Sequence, residues 1–335
     1  MQRENDNALD ASDMILKLPK GETASIAWSL SEPVLLIGMN DGSVSLIKSA
    51  RELKLEKPHN KAISAVQWNH NGEMFATADR IGSIVLWTNQ RITSVLKGHK
   101  KIVYDLSWNP KSDILAASSG DKTGSIWAME DNMTELSGHK GAVTVIDWNS
   151  SGTHVATGSA DKTVRVWTTE GRQEQVLEHK GALASLIWNP IEDELLATGS
   201  YDKTVQLWRA GKSTSLMKGH RDRVFGLDWN KDGKLLASSS GFKDGEIIVW
   251  NDSGEKVATF ENHTSSVYQV SWNPISDMLA SASFDGTVRI WSMEGEQAVF
   301  RHPGPVFAAK WNNKGNLLAT AGMGIVAIWN VTKFS

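Results

Sequence analysis

The chain has 335 residues, 35 basic against 38 acidic side chains, a formal net charge of −3 and no cysteine. Mixed charge gives no sequence-wide case for nucleic acid or an anionic membrane, and the absence of cysteine removes disulfides and thiol chemistry. No apolar run nears the roughly 18 residues that span a bilayer, so the reading is of a soluble, intracellular protein, nuclear or cytoplasmic.

Residues 1–12 are polar and aperiodic and read as a disordered tail ahead of one ordered domain over 13–335. Met14–Leu18 (MILKL) reads as a short strand with no partner in the unit that follows. From there the chain repeats. Its 15 tryptophans fall on two series. The first is Trp28, Trp68, Trp108, Trp148, Trp188, Trp229, Trp272 and Trp311, spaced 39 to 43 residues apart; the second is Trp87, Trp127, Trp167, Trp208, Trp250, Trp291 and Trp329, with Ile47 where an eighth would stand. Eight units follow, since a fixed period of this length marks a repeat architecture.

Inside a unit the period is two. VTVIDW and VRVW alternate β-branched with polar or small residues, and WNSSGT, GSADKT and TTEGRQ supply turns, which predicts four short strands per unit and no helix. RITSVL, NMTEL and VATF are strands that precede the histidine of the next unit, and the last unit, ending at VAIWN, lacks one. The Met14 strand supplies it, closing a ring and removing both open sheet edges. The fold class is therefore all-β, a single eight-bladed propeller closed by the N-terminal strand.

A histidine at the start of most units, a Ser or Thr, an Asp in a turn and the second-series Trp recur together. With this pattern the chain resembles WD-repeat proteins over residues 14–330. The resemblance implies a buried hydrogen-bonded set in each well-formed blade: His139, Thr157, Asp161 and Trp167; His179, Thr198, Asp202 and Trp208; His220, Ser238, Asp244 and Trp250; His263, Ser281, Asp285 and Trp291. Other units depart. His99 has Ala117 at the hydroxyl position, His59 has Ile81 where the turn Asp belongs, the first unit has Ile47 for Trp, and the last has Met323 and no acid nearby. Units eight, one and two are accordingly expected to be the least stable.

A His-Asp-Ser/Thr constellation invites a hydrolase reading. Its repetition beside packed tryptophans argues for structure instead, because a catalytic triad is needed once and must face a pocket. The histidines are about 40 residues apart, without the close pairs of zinc sites, so no metal or cofactor is expected. HKK at 99–101 and HRDR at 220–223 read as a solvated basic rim.

Family resemblance also implies partner contacts at three positions per repeat on the narrow top face. Those positions carry Tyr104, Phe225, Tyr268 and Phe307 four residues before the first-series Trp, Tyr201 and Phe284 before the turn Asp, and Arg223 six before the Trp. Repeats one, two and four have Ala24, Ser64 and Thr144 instead. Tyr201, Arg223, Phe225, Tyr268, Phe284 and Phe307 are thus expected to form one lopsided patch over repeats five to eight, of the residue types that dominate interface energy. The wording of the repeats resembles the transducin β-like group, which implies a scaffold in a histone deacetylase corepressor complex. A ciliary, trafficking or RNA-processing subunit is the alternative. A cullin substrate receptor ranks lower, since its Arg three residues after the strand Trp is replaced by Gln90, Glu130, Glu170, Gly211 and Glu294. The expected protein is a monomeric propeller that takes a protein or peptide partner within a multisubunit complex, with no membrane insertion and nucleic acid not indicated directly.

Overall fold

The computed structural model describes residues 14–18, 24–128, 132–241 and 245–332. The tail 1–12 and Asp244 lie outside them. Eight four-stranded antiparallel sheets form the eight blades. In blade 4 the strands run outward from the channel as Val143–Trp148, His154–Ser159, Thr163–Thr168 and Gln173–Glu178. Blade 8 is built from Val306–Trp311, Leu317–Gly322 and Ile325–Asn330, and its outermost strand is Met14–Lys17, paired Met14 to Ile328 through Lys17 to Ile325. The expected closure is present.

No blade has a core of its own. The buried apolar residues fall into clusters that each join two neighbouring blades, as Ala116, Ile126 and Leu136 of blade 3 do with Ile146, Trp148, Val155 and Trp167 of blade 4. Both tryptophans of a blade face the preceding one, and this holds at the seven junctions from blade 1 to blade 8. At the closure Trp28 and Ile47 of blade 1 pack on Ala319, Ala321 and Val326 of blade 8. Ile47 is apolar at the place of the missing Trp, so the junction keeps its burial but loses an indole. A sheet with two apolar faces needs a neighbour on both, which is why the period and the two Trp series come together.

Hydrogen bonds fix each junction. The indole Nε1–H of a first-series Trp donates to the carbonyl of the residue just before the Trp of the preceding blade: Trp68 to Ala27, Trp108 to Gln67, Trp148 to Ser107, Trp188 to Asp147 and Trp311 to Ser271, at 2.9 to 3.2 Å. Trp28 to Lys310 at 2.9 Å carries the same bond across the closure. The Asn that follows the Trp reaches the opposite way. Asn109, Asn189 and Asn273 donate Nδ2–H to Gly152, Gly233 and Gly315 of the next blade at 2.7 to 2.8 Å. Those glycines have φ between 66° and 73°, and a Cβ on any of them would lie about 2.4 Å from the Asn carboxamide.

Trp28→Phe should keep the ring face against blade 8 but remove the closing donor. The expected cost is about 1 kcal/mol, seen as a lower urea midpoint, and a midpoint unchanged from wild type would show that the indole bond contributes nothing to closure.

Candidate functional site

The polar set of blade 4 reads as a directed relay. Trp167 Nε1–H can only donate, so Thr157 Oγ1 accepts at 2.9 Å; the Thr157 hydroxyl then faces His139 Nε2 at 2.9 Å, which leaves the proton on Nδ1, 3.0 Å from Asp161 Oδ2. The imidazole is neutral in this arrangement. Burial pushes its pKa down, against the pull of Asp161. Burial would raise Asp161, but the Thr163 hydroxyl at 2.7 Å, the N–H of Lys140 at 2.7 Å and the N–H of Thr163 at 2.9 Å hold it well below the usual carboxylate range.

Blade 7 repeats this set with His263 to Asp285 at 2.8 Å and to Ser281 at 2.7 Å, and Trp291 to Ser281 at 2.8 Å. In blade 5 His179 bonds Thr198 at 2.7 Å, while its Nδ1 stands 3.4 Å from Asp202, an ion-pair distance rather than a short hydrogen bond. Trp208 donates to Thr198 at 2.8 Å. In blade 6 His220 and Trp250 both meet Ser238 at 2.7 Å.

Two departures read from the sequence are corrected. Blade 3 lacks a hydroxyl at Ala117, yet Ser125 on the adjoining strand, paired across from Ala117, puts its Oγ 2.8 Å from His99 Nε2 and accepts from Trp127 at 2.8 Å. Blade 2 has Ile81 in the turn, yet Asp79, two residues earlier, reaches His59 Nδ1 at 2.9 Å and accepts the N–H of Ile81 and Ser83. Thr77 completes that set, with His59 at 2.8 Å and Trp87 at 3.0 Å. The reason for expecting weakness in unit two therefore falls away. Blade 8 keeps its deficit: His302 bonds Thr320 at 2.8 Å, its Nδ1 has no hydrogen-bond partner among the described residues, and burial alone pushes it down to about 4.

These sets sit inside blades, beneath the top-face loops. The top face itself carries the aromatic residues. Tyr201 meets Phe225 edge to face at 6.0 Å between centroids, Phe225 stacks on Tyr268 at 5.5 Å, and Tyr268 contacts Phe307 at 5.4 Å and Phe284 at 6.2 Å. The Arg223 guanidinium lies 4.7 Å over the Tyr201 ring. The six residues of the expected patch are thus brought together, with Tyr201 and Phe284 each 42% exposed. Tyr104 makes no ring contact with them; it lines a cavity of about 500 Å³ at the channel mouth, which Phe307 also lines.

Sequence reading missed one member. Met323 N–H bonds Pro305 O as Tyr201 N–H bonds Ala182 O and Phe284 N–H bonds Ser266 O, so it occupies the equivalent place on blade 8, and it is exposed. The signal was its position before the turn, which the missing acid obscured. Also missed were acids in the channel wall: Asp105 accepts Ile146 N–H at 3.3 Å, Asp147 accepts Trp188 N–H at 3.0 Å and Asp228 accepts Trp272 N–H at 2.7 Å, each from the next blade. Burial pushes Asp147 up to about 7 and Asp105 and Asp228 up to about 6. Among the described residues no group of three or more His, Asp or Glu is placed to hold a metal ion.

Comparison with known proteins decides the family. Sequence models of the WD domain, G-beta repeat, match residues 51–88 and 90–128, and the model of the WDR19 first beta-propeller matches residues 144–302. The chain belongs to the WD-repeat family. Individual relatives match over short segments: the F-box-like/WD repeat-containing protein TBL1X of Mus musculus is 48% identical over 48 residues, 14% of this chain and 9% of that protein. Eukaryotic translation initiation factor 3 subunit I of Neurospora crassa is 38% identical over 65 residues, 19% of this chain and 18% of that protein. The matches thus span less than a fifth of these two relatives' own lengths. The crystal structure of the computationally designed Ika8 protein superposes with a TM-score of 0.81 over 94% of this chain and 98% of that chain at 20% identity, a likeness of fold alone.

Two measurements test the buried sets. Ser125→Ala should destabilise by about 1 to 3 kcal/mol, and adding Ala117→Thr should restore most of it, as read from urea midpoints; no rescue would mean that the two positions do not serve the same histidine. The second is pH. A buried neutral histidine refuses a proton that the unfolded chain accepts below about 6.5, so its contribution is present above that pH and is lost as pH falls toward the folded value. For His302, with a folded value of about 4, the loss reaches roughly 3 kcal/mol. The channel acids, with raised values, act with the opposite sign, so the quantity to read is the difference between wild type and His302→Gln. Wild type should lose stability relative to the variant as pH falls from 6.5 to 4, and parallel profiles would refute the assignment.

Proposed function

We propose that the protein is a non-catalytic interaction scaffold whose top face docks a protein or peptide partner over blades 5 to 8. The observation that carries this is the continuous contact of Tyr201, Phe225, Tyr268, Phe284 and Phe307, with Arg223 stacked at one end. Rings that served only to wall the channel would be closed off by one another, whereas Tyr201, Phe284 and the adjoining Met323 stay open to solvent. Aromatic and Arg side chains lose little conformational freedom on binding and carry large contact areas, which is why they dominate interface energy.

The buried His sets support a structural role over hydrolysis, since in blades 2, 3, 4 and 7 the two sides of the imidazole face a carboxylate and a hydroxyl that also holds a Trp. The setting we favour is a multisubunit intracellular assembly. A histone deacetylase corepressor complex rests on the transducin β-like resemblance and on the 48-residue match to TBL1X. A ciliary, trafficking or RNA-processing assembly is the alternative, and the match to a subunit of translation initiation factor 3 is in keeping with a subunit role.

Phe225→Ala and Tyr268→Ala should each reduce capture of partners from cell extract by tenfold or more while leaving thermal unfolding near wild type; undiminished capture by a folded double variant would reject the site.

A further inference from the structure

Beside the aromatic arc the top face carries a second, chemically distinct arc. In blade 4 the Asp161 carboxylate that orients His139 also accepts the backbone N–H of Lys140 at 2.7 Å, and the residue after it, Lys162, has φ 74°. Blade 3 repeats this with Lys100, whose N–H meets Asp121 at 2.9 Å, and Lys122 at φ 79°; blade 5 does so with Lys180, whose N–H meets Asp202 at 3.0 Å, and Lys203 at φ 74°. A left-handed backbone is disfavoured for lysine, so the turn, and not the side chain, dictates where these residues stand. All six are exposed, and among the described residues none has an ion-pair partner. The three carboxylates are turned inward, their side chains only 10 to 13% exposed.

The two arcs divide the ring. In blades 7 and 8 the places of the lysine pair hold Thr264 and Gly286, then Pro303 and Gly324. Lysine pairs thus occupy blades 3 to 5 and the rings blades 5 to 8. Only blade 5 carries both, and there Arg223 covers Tyr201.

We propose that the top face takes an extended peptide segment whose aspartates and glutamates lie along the lysine pairs of blades 3 to 5 and whose aromatic or aliphatic side chains seat against the rings of blades 5 to 8. This deepens the docking function proposed above and rests on it. Charge complementarity names the acidic half: six unpaired ammonium groups at matched positions repel one another and gain from an anionic neighbour, weakly each but together, and in a salt-sensitive way. A peptide fits better than a nucleic acid. Phe225 and Tyr268 stack on each other at 27°, which uses ring faces that bases would need.

A random peptide library displayed on phage and panned on the full chain tests the proposal, with enriched peptides labelled and titrated by fluorescence anisotropy. Enriched sequences should be net acidic and carry aromatic or aliphatic residues toward one end. Lys122→Asn, Lys162→Asn and Lys203→Asn combined remove three charges, and Asn tolerates the left-handed backbone. This variant should bind the peptides about tenfold more weakly at low salt, a deficit that shrinks as salt is added. Tyr268→Ala should weaken binding to a similar degree at all salt concentrations. Enrichment of neutral or basic peptides, no enrichment, or full affinity in the triple variant would overturn the proposal. Full affinity in the triple variant with loss in Tyr268→Ala overturns the acidic partner alone and leaves the aromatic docking site standing; full affinity in both overturns the two together. Labelled oligouridylate RNA is the control, and lysine-dependent RNA binding without enrichment of acidic peptides would assign the arc to nucleic acid instead.

Discussion

Every blade depends on its neighbours because a four-stranded sheet presents two apolar faces and can cover neither. The junction is the unit of stability here: each buries tryptophan against the neighbouring blade, most add an indole N–H aimed back at a carbonyl, and several add an Asn carboxamide aimed forward at a turn. A one-dimensional array of such junctions behaves as nearest-neighbour couplings in series. What distinguishes a ring is that the series has no end blade, and in this chain Trp28 and the Met14–Lys17 strand remove it.

The buried His sets satisfy polar groups at the point where each blade turns from inner to outer strands. Leaving any member unpaired would cost about 1 to 3 kcal/mol, so the sets are conservative in chemistry and flexible in origin: Ser125 substitutes for a residue on another strand, and Asp79 for one two positions on. The same carboxylates that orient the histidines also fix the loop N–H groups above them. Surface side chains on those loops are therefore held at matched heights from blade to blade, and differences in their chemistry become differences between sectors of one flat face.

The fold was legible because its signals are linear. Two Trp series give the number of units, and an orphan strand at one end with a missing strand at the other gives the closure. The aromatic patch was legible in membership, since equivalent positions in successive repeats fall on neighbouring blades, but Tyr104 shows the limit: an equivalent position on blade 3 lies across a channel mouth from the others. Ser125 and Asp79 were not legible, because a repeat alignment equates residues along the chain, whereas hydrogen bonds equate oxygen atoms in space. The Trp-Asn dipeptide, present in seven of the eight units, was readable and its two opposed hydrogen bonds were not, since they join residues about 40 apart on different sheets.

Closure by Met14–Lys17 also has a temporal side. The bond from Trp28 to Lys310 spans 282 residues of sequence, and the strand beyond it pairs with Ile325–Ile328. During synthesis the Met14–Lys17 strand leaves the ribosome well before the rest of the blade that it completes. Seven blades can stack in order as they emerge, but blade 1 waits with its Trp28 face bare until blade 8 arrives. Non-local pairing of this kind is slow and exposes apolar surface while it waits. The ring is thus a structure that assembles by increments and is sealed in one step.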